Sequence, residues 1–195
     1  MDVYPPGMPD ECFFRGNVPM TKAEVRAITL SKARLRDGQR VLDLGAGTGS
    51  FTVEAALLCP HGAVTALERD PEALAVIDEN LRRFALSNVT VVAGEAPGAL
   101  AGLGPFDRII IGGTGGRLGD ILAALPGVLT PGGWVVSNTI GLESTMDVLT
   151  GLRAAPWTAC EIVQVSISRG VPLGKLTRLE PLNPIWVISA QLGTV

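Results

Sequence analysis

Charge is scarce in this chain. Only 18% of its 195 residues are Asp, Glu, Lys or Arg, against a usual share of about 25%, while apolar residues reach 47%. The net charge of −3 gives no general pull toward nucleic acid, whose binding rests on neutralising phosphates. Histidine is nearly missing: His61 stands alone, between Pro60 and Gly62 in an expected turn. Metal sites and triads built on histidine need partners that the sequence does not supply, so no metal centre is expected. Cys12, Cys59 and Cys160 are odd in number and far apart, which argues against a disulfide framework or a paired-cysteine zinc site. No apolar run approaches the ~18 residues needed to span a bilayer, and the N-terminal stretch lacks a basic-then-apolar signal pattern. The expectation is one cytoplasmic domain over 1–195 with a full core, and with apolar surface hidden between subunits.

Against that background one run stands out. Asp43-Leu44-Gly45-Ala46-Gly47-Thr48-Gly49 follows a strand-like stretch and opens a helix-like one. Glycines at alternate positions of a strand-to-helix turn let backbone approach a ligand where a Cβ would collide, and the helix start offers unpaired N–H groups. The spacing differs from the dinucleotide fingerprint, because Ser50 stands where a late glycine or alanine belongs. An acidic residue at the strand end, Asp43, suits a ligand carrying an ammonium and repels a pyrophosphate. Glu68 ends the next apolar run, roughly 20 residues past the glycine turn, where such folds set a carboxylate on ribose hydroxyls. The combination reads as a nucleotide-type site for S-adenosylmethionine.

Along the chain, residues 1–20 show no period and look like an irregular arm. Thr21-Lys22-Ala23-Glu24 has the capping-box form, and apolar Val25, Ile28, Leu30 and Leu35 predict a helix to about Arg36. Strands are expected at 40–44, 63–68, 89–93, 106–111 and 134–138. Helices are expected at 50–58, after Asp70-Pro71, at 118–129 and at 143–154, with a turn at 130–133. Cys160 to Ser168 and Pro184 to Gln191 read as two final strands with no helix between them, hence antiparallel. Alternating strands and helices imply a doubly wound α/β sheet, mostly parallel, with ligands beyond the carboxyl ends of its strands.

The order of glycine turn, acidic second-strand end, Pro-Gly-Gly before strand five and a closing β-pair resembles the Rossmann-like class I methyltransferase fold. More narrowly, the chain resembles the precorrin-6B C15-methyltransferase and decarboxylase family of cobalamin biosynthesis, also found as the C-terminal half of a larger C5,15-methyltransferase. The resemblance rests on Gly7 to Phe13, Pro19 to Arg26, Asp43 to Gly49, Glu68 to Ala73, Gly94 to Pro97 and Ile111 to Gly116. It implies cofactor contacts at Thr21, Gly45, Ala46, Gly47, Thr48, Gly49, Glu68 and Ala96, beside Asp43. Thr21 fits a helix cap equally, and Glu95 reads either as a ligand contact or as a solvated first-turn carboxylate.

The glycine cluster 112–116 follows strand four, where the fold brings substrate beside the methyl donor. Gly112 and Gly113 read either as a flexible turn or as close backbone approach to a flat macrocycle. Asn138 and Glu143 flank the same crevice, each also readable as a cap or a surface residue. The implied tetrapyrrole carries acetates and propionates, so Arg15, Lys22, Arg26, Arg117, Arg169, Lys175 and Arg178 are candidates to grip them. The resemblance also implies a homo-tetramer. Rival readings are a methyltransferase acting on RNA, protein or another small molecule, a nicotinamide oxidoreductase, and a module that holds the cofactor without catalysis. Against the amino-methylating nucleic-acid enzymes stands Gly-Gly-Thr-Gly-Gly where an Asn/Asp-Pro-Pro-aromatic loop belongs. Asn183-Pro184-Ile185-Trp186 resembles that loop but sits at a strand start, and Cys59 reads as core.

Overall fold

The structure is a computed structural model that describes residues 6–194; the first five residues of the expected arm, and Val195, lie outside the described residues. Nine strands and five α-helices follow in order: α1 (Ala23–Ala33), β1 (Arg40–Leu44), α2 (Ser50–Leu58), β2 (Ala63–Glu68), α3 (Pro71–Arg83), β3 (Val89–Ala93), β4 (Phe106–Ile111), α4 (Leu118–Ala124), β5 (Leu129–Thr139), α5 (Leu142–Arg153), β6 (Trp157–Val165), β7 (Ser168–Leu173), β8 (Leu176–Pro181) and β9 (Ile185–Leu192). Seven strands form one sheet in the order β3-β2-β1-β4-β5-β9-β6. The first five are mutually parallel, and β9 runs antiparallel to both β5 and β6. This is the doubly wound, mostly parallel α/β architecture that the alternation of elements implied.

Alternation along each strand builds two cores. Leu42, Leu44, Ile109, Ile111, Val135 and Ile188 pack with Ile121, Leu122, Val148 and Leu152 of α4 and α5. Their neighbours Val41, Ile110, Val136 and Val187 point to the other face, against Val25, Leu30, Phe51 and Ala55 of α1 and α2. Seven of the nine residues of α2 are buried, so this helix is enclosed on nearly every side. Asp70 caps α3 as expected, accepting from the Glu72 N–H at 2.9 Å with Pro71 in the first turn.

Other boundaries depart from the sequence reading. Thr21 does not cap α1: the N-cap position is Lys22, with no side-chain cap, and Asp10 of the arm accepts from the Ala23 N–H at 2.9 Å instead. Glu24, the expected partner in a capping box, pairs with Arg169 at 2.6 Å, and that guanidinium holds its carboxyl below the ordinary range. Helix α1 stops at Ala33 because Arg34 turns left-handed, φ 54°, with its guanidinium 3.7 Å from the Trp134 ring centre. Pro126 ends α4 early, converting 125–127 into a 3-10 turn. The expected turn at 130–133 lies inside β5 as a break in register between Leu129 and Trp134. The expected strand 160–168 begins earlier, at Trp157, and ends at Val165. The hairpin β7–β8, absent from the sequence reading, forms a separate two-stranded sheet.

Arg26 ties the arm to the body. It is fully buried and is therefore no grip for a substrate, contrary to expectation. Its Nε donates to Glu54 Oε1 at 2.7 Å and its Nη1 to Asp10 Oδ1 at 2.9 Å, while the carbonyls of Met8 and Thr21 accept from the remaining donors. The other oxygen of Glu54 accepts from the Gly7 N–H at 2.6 Å, and the Phe13 ring lies 4.7 Å from the guanidinium carbon. A planar fork of donors serves these four acceptors at once, which the three hydrogens of an ammonium could not. Removing one partner leaves a charge buried without its counterion, so Arg26→Ala is expected to lower unfolding free energy by about 3–5 kcal/mol, read by urea denaturation. A loss below about 1 kcal/mol would contradict the anchoring role.

Candidate functional site

Strand order reverses between β1 and β4, and the turns leaving these two strands meet there. A Cβ added to Gly45 would lie 2.2 Å from the Gly113 carbonyl oxygen, and one added to Gly112 would lie 2.7 Å from that of Gly45. The Gly112 N–H donates to Leu44 O at 2.8 Å, and the Gly45 N–H to Leu67 O at 2.8 Å. The ends of β2, β1 and β4 are thus stitched by backbone alone. At Gly113 an added Cβ would meet nothing within 4 Å, so this residue presents open backbone to the crevice. The sequence reading anticipated close approach to a ligand here, whereas at Gly45 and Gly112 the close approach is between the two turns.

Glu68 closes the base of the crevice. Its Oε2 accepts from the Gly47 N–H at 2.8 Å, and its Oε1 from the N–H groups of Arg69 and Asp70 at 2.8 and 2.9 Å. Three donors leave part of the lone-pair capacity of this carboxylate for a ligand. The Gly47 N–H, in the turn before α2, is spent on Glu68.

Two cavities open from this point and share Pro19, Gly45, Glu68 and Gly113. One, about 430 Å3, is lined also by Gly94, Glu95, Ala96, Thr114 and Ile121. Arg69 and Glu95 pair at 2.5 Å along its edge. The other, about 600 Å3, brings together Thr21, Ala46, Gly47, Thr48, Gly112 and Asn138 with apolar Val18, Phe51, Ile167 and Ile185. Both volumes are of ligand size. The apolar wall drawn from the arm and from the strand connections near the C-terminus escaped the sequence reading; Pro19-Met20, quoted there only as family signature, was its one available signal.

Among the described residues the buried side-chain polar atoms without a partner are Asp43 Oδ1, Thr48 Oγ1 and Asn138 Nδ2. Thr48 and Asn138 line the larger cavity. Asp43 lines neither cavity; its strand position turns the carboxylate toward α2, where Oδ2 accepts from Thr52 Oγ1 at 2.5 Å. Burial pushes its pKa up to about 6, and the nearby charge of Glu68 adds to the rise.

Four further candidates stand apart from the cavity walls. Gly49 packs toward Ile77, Arg117 pairs with Asp120 at 3.1 Å, Glu143 is exposed in the first turn of α5, and Arg169 is held by Glu24 and Asp10. Gly49, Arg117 and Arg169 are taken by local partners or by packing that spacing alone does not reveal. Lys22 does line the larger cavity, whereas Arg15, Lys175 and Arg178 are exposed and line neither cavity. Cys59 is core, its Sγ donating to Arg36 O at 3.2 Å and its thiol pushed up to about 11 by burial.

Known proteins resemble this chain in sequence and in fold. A cobalt-precorrin-6B C(15)-methyltransferase (decarboxylating) of Salmonella typhimurium is 43% identical over 185 residues, covering 94% of this chain and 95% of the relative. The crystal structure of a precorrin-6y C5,15-methyltransferase from Geobacter metallireducens superposes with a TM-score of 0.91 at 35% identity, over 98% of this chain and 100% of that one. A SAM-dependent O-methyltransferase of Thermotoga maritima, 17% identical, shares the fold with a TM-score of 0.74 over 90% of this chain and 67% of that one. The family model of the precorrin methyltransferase domain matches residues 12–191, and the chain belongs to that family.

Proposed function

We propose that this protein transfers a methyl group from S-adenosylmethionine to C15 of a precorrin-6B-type tetrapyrrole, with loss of the C12 acetate as CO2, in cobalamin biosynthesis. The observation that carries the reading is the match across nearly the whole chain to a relative named for that reaction. The site fits the donor. A carboxylate with spare acceptor capacity suits ribose hydroxyls, and the backbone around Gly94 to Ala96 suits a flat base. When bound, S-adenosylmethionine supplies a methyl group on a positively charged sulfur. Thr21, Gly45, Ala46, Gly47, Thr48, Glu68 and Ala96 would hold it, with Gly49 shaping the turn and Asp43 acting from behind it.

The larger, apolar-walled cavity takes the substrate in this reading, with Gly112, Gly113 and Asn138 at its contact with the donor side. Methyl transfer is an in-line displacement in which alignment of the two carbons supplies much of the rate, so the protein needs no nucleophile of its own. Its residues orient both partners and exclude water. Arg117 and Glu143 would contribute only from the rim. The single domain acts in the cytoplasm as a homo-oligomer, which we infer to be a tetramer. Supporting this, Leu173, Leu176 and Leu179 of the β7–β8 hairpin are 57%, 72% and 71% exposed, and no helix among the described residues is long and apolar enough to cross a membrane.

The deciding assay incubates the protein with methyl-labelled S-adenosylmethionine and a precorrin-6B pool. Label in a product that has gained one methyl group and lost one CO2 is expected. Labelled RNA or protein in its place, or tight NAD binding, would end the reading. Replacing Glu68 by Gln exchanges charge-assisted hydrogen bonds for weaker ones, so affinity for S-adenosylhomocysteine is expected to fall by roughly 10- to 100-fold in calorimetry.

The pH dependence follows from Asp43. Its folded pKa lies above the ordinary carboxylate value, so ionising it costs stability as pH rises from about 4 to 6. A cationic ligand favours the ionised form. Affinity for S-adenosylhomocysteine, which carries an ammonium, is therefore expected to rise between pH 5 and 7, by about tenfold for each unit that binding lowers this pKa. Asp43→Asn should flatten both trends; an unchanged pH profile in that variant would exclude the coupling.

A further inference from the structure

Arg69 leaves the end of β2 and touches two loops at once. Its backbone N–H donates to Glu68 Oε1 at 2.8 Å, so the root of the side chain is fixed at the base of the crevice. At the tip, Nη1 donates at 2.5 Å to Oε1 of Glu95, which follows β3. The same guanidinium meets Gly115, which follows β4. A Cβ added to Gly115 would stand 3.0 Å from Nη1 and 3.1 Å from both Cζ and Nη2. Near-equal distances to these three atoms put that point over the guanidinium face, because an in-plane approach between the two nitrogens would leave Cζ clearly the farthest. Face and edge of one planar group thus serve two loops without competing.

Strand order gives these contacts their meaning. In the run β3-β2-β1-β4 the two loops leave strands three steps apart, about 14 Å at the usual spacing. A group that touches both lies across the carboxyl ends of β2 and β1, which carry Glu68 and Gly45. Those two residues line the smaller cavity together with Arg69, Glu95 and Gly115. Gly115 has φ +57°, and its bare Cα lets the guanidinium settle there. The side chains of Arg69 and Glu95 are 56% and 44% exposed, so their attraction is weak and the pair opens readily.

We propose that Arg69, held by Glu95 and seated on Gly115, is a strap over the smaller cavity, and that the nucleoside end of the methyl donor enters and leaves when this strap swings aside. The inference rests on the reading of this crevice as the site of S-adenosylmethionine and adds a gate to it. The strap is closed in the protein alone, and both its partners are protein groups. Where a contact is equally strong with and without ligand it shifts no binding equilibrium, so the strap sets the rate of exchange and not the affinity. Arg69 is thus a positioning residue, and Glu95 serves the site through it.

Surface plasmon resonance with S-adenosylhomocysteine reads both rates. In Arg69→Ala and in Glu95→Gln, association and dissociation are expected to quicken together by about two- to fivefold, with Kd within about threefold of the parent protein. The double variant is expected to match Arg69→Ala alone, because the two residues act as one unit. A Kd raised beyond that limit makes Arg69 a ligand anchor and overturns the gate. Unchanged rates, additive effects, or an effect confined to Arg69→Ala overturn it as well. A measurement without ligand tests the strap itself. A guanidinium held at face and edge turns slowly about its Nε–Cζ bond, so Nη1 and Nη2 of Arg69 are expected as separate nitrogen resonances, identified by their loss in Arg69→Ala, that merge in Glu95→Gln. Merged resonances in the parent protein overturn the proposal. If the resonances are separate but the parent protein binds no S-adenosylhomocysteine, the reading of the crevice falls and the gate with it. If it binds at rates that the variants leave unchanged, the gate alone falls.

Discussion

Contact between two stretches of bare backbone sets the geometry of everything that opens on the crevice. Where Gly45 approaches Gly113, a single added carbon would sit 2.2 Å from a carbonyl oxygen, a distance that no side-chain adjustment relieves. Because both turns leave adjacent parallel strands at the point where strand order reverses, their meeting fixes where β1 and β4 end and where the two cavities divide. Glu68 reaches this junction from β2, and its acceptance of the Gly47 N–H binds the third strand end to the same point. Substitutions at Gly45 or Gly112 therefore act on the scaffold before they act on any ligand.

A second constraint comes from the buried fork of Arg26. The arm carries Asp10, which satisfies the first turn of α1, and it continues through Val18, Pro19, Met20 and Thr21 into the wall of the larger cavity. One guanidinium thereby links helix capping, attachment of the arm and the shape of the site. The arm is held by charge-assisted hydrogen bonds as well as by the small apolar cluster of Met8, Phe13 and Val53.

Most of this was legible where a physical rule acts over a short stretch of chain. The Asp43–Gly49 turn, the strand preceding it, the Asp70-Pro71 cap and the position of Glu68 follow from local chemistry. What escaped depends on residues distant in sequence. Thr21 fits a capping box by spacing, but Asp10 occupies the role from eleven residues upstream of it. Arg26 looks like a surface cation until Glu54 and the arm surround it, and Asp43 looks like a ligand contact until strand alternation turns it toward α2. The β7–β8 hairpin, with exposed leucines on its second strand and Pro and Gly within its first, lacks the inside–outside alternation that betrays a strand covered on one side. Spacing singled out Gly45, Gly47 and Glu68, which line the cavities, together with Asp43, Gly49 and Glu143, which do not, while the apolar wall, gathered from both ends of the chain, left no local pattern to read.

The three hydrogen bonds that backbone N–H groups donate to Glu68 exist in the protein alone, before anything enters the crevice. The loop that would cradle a ribose is already rigid, so little entropy is lost there on association and the recognition energy goes into holding the ligand.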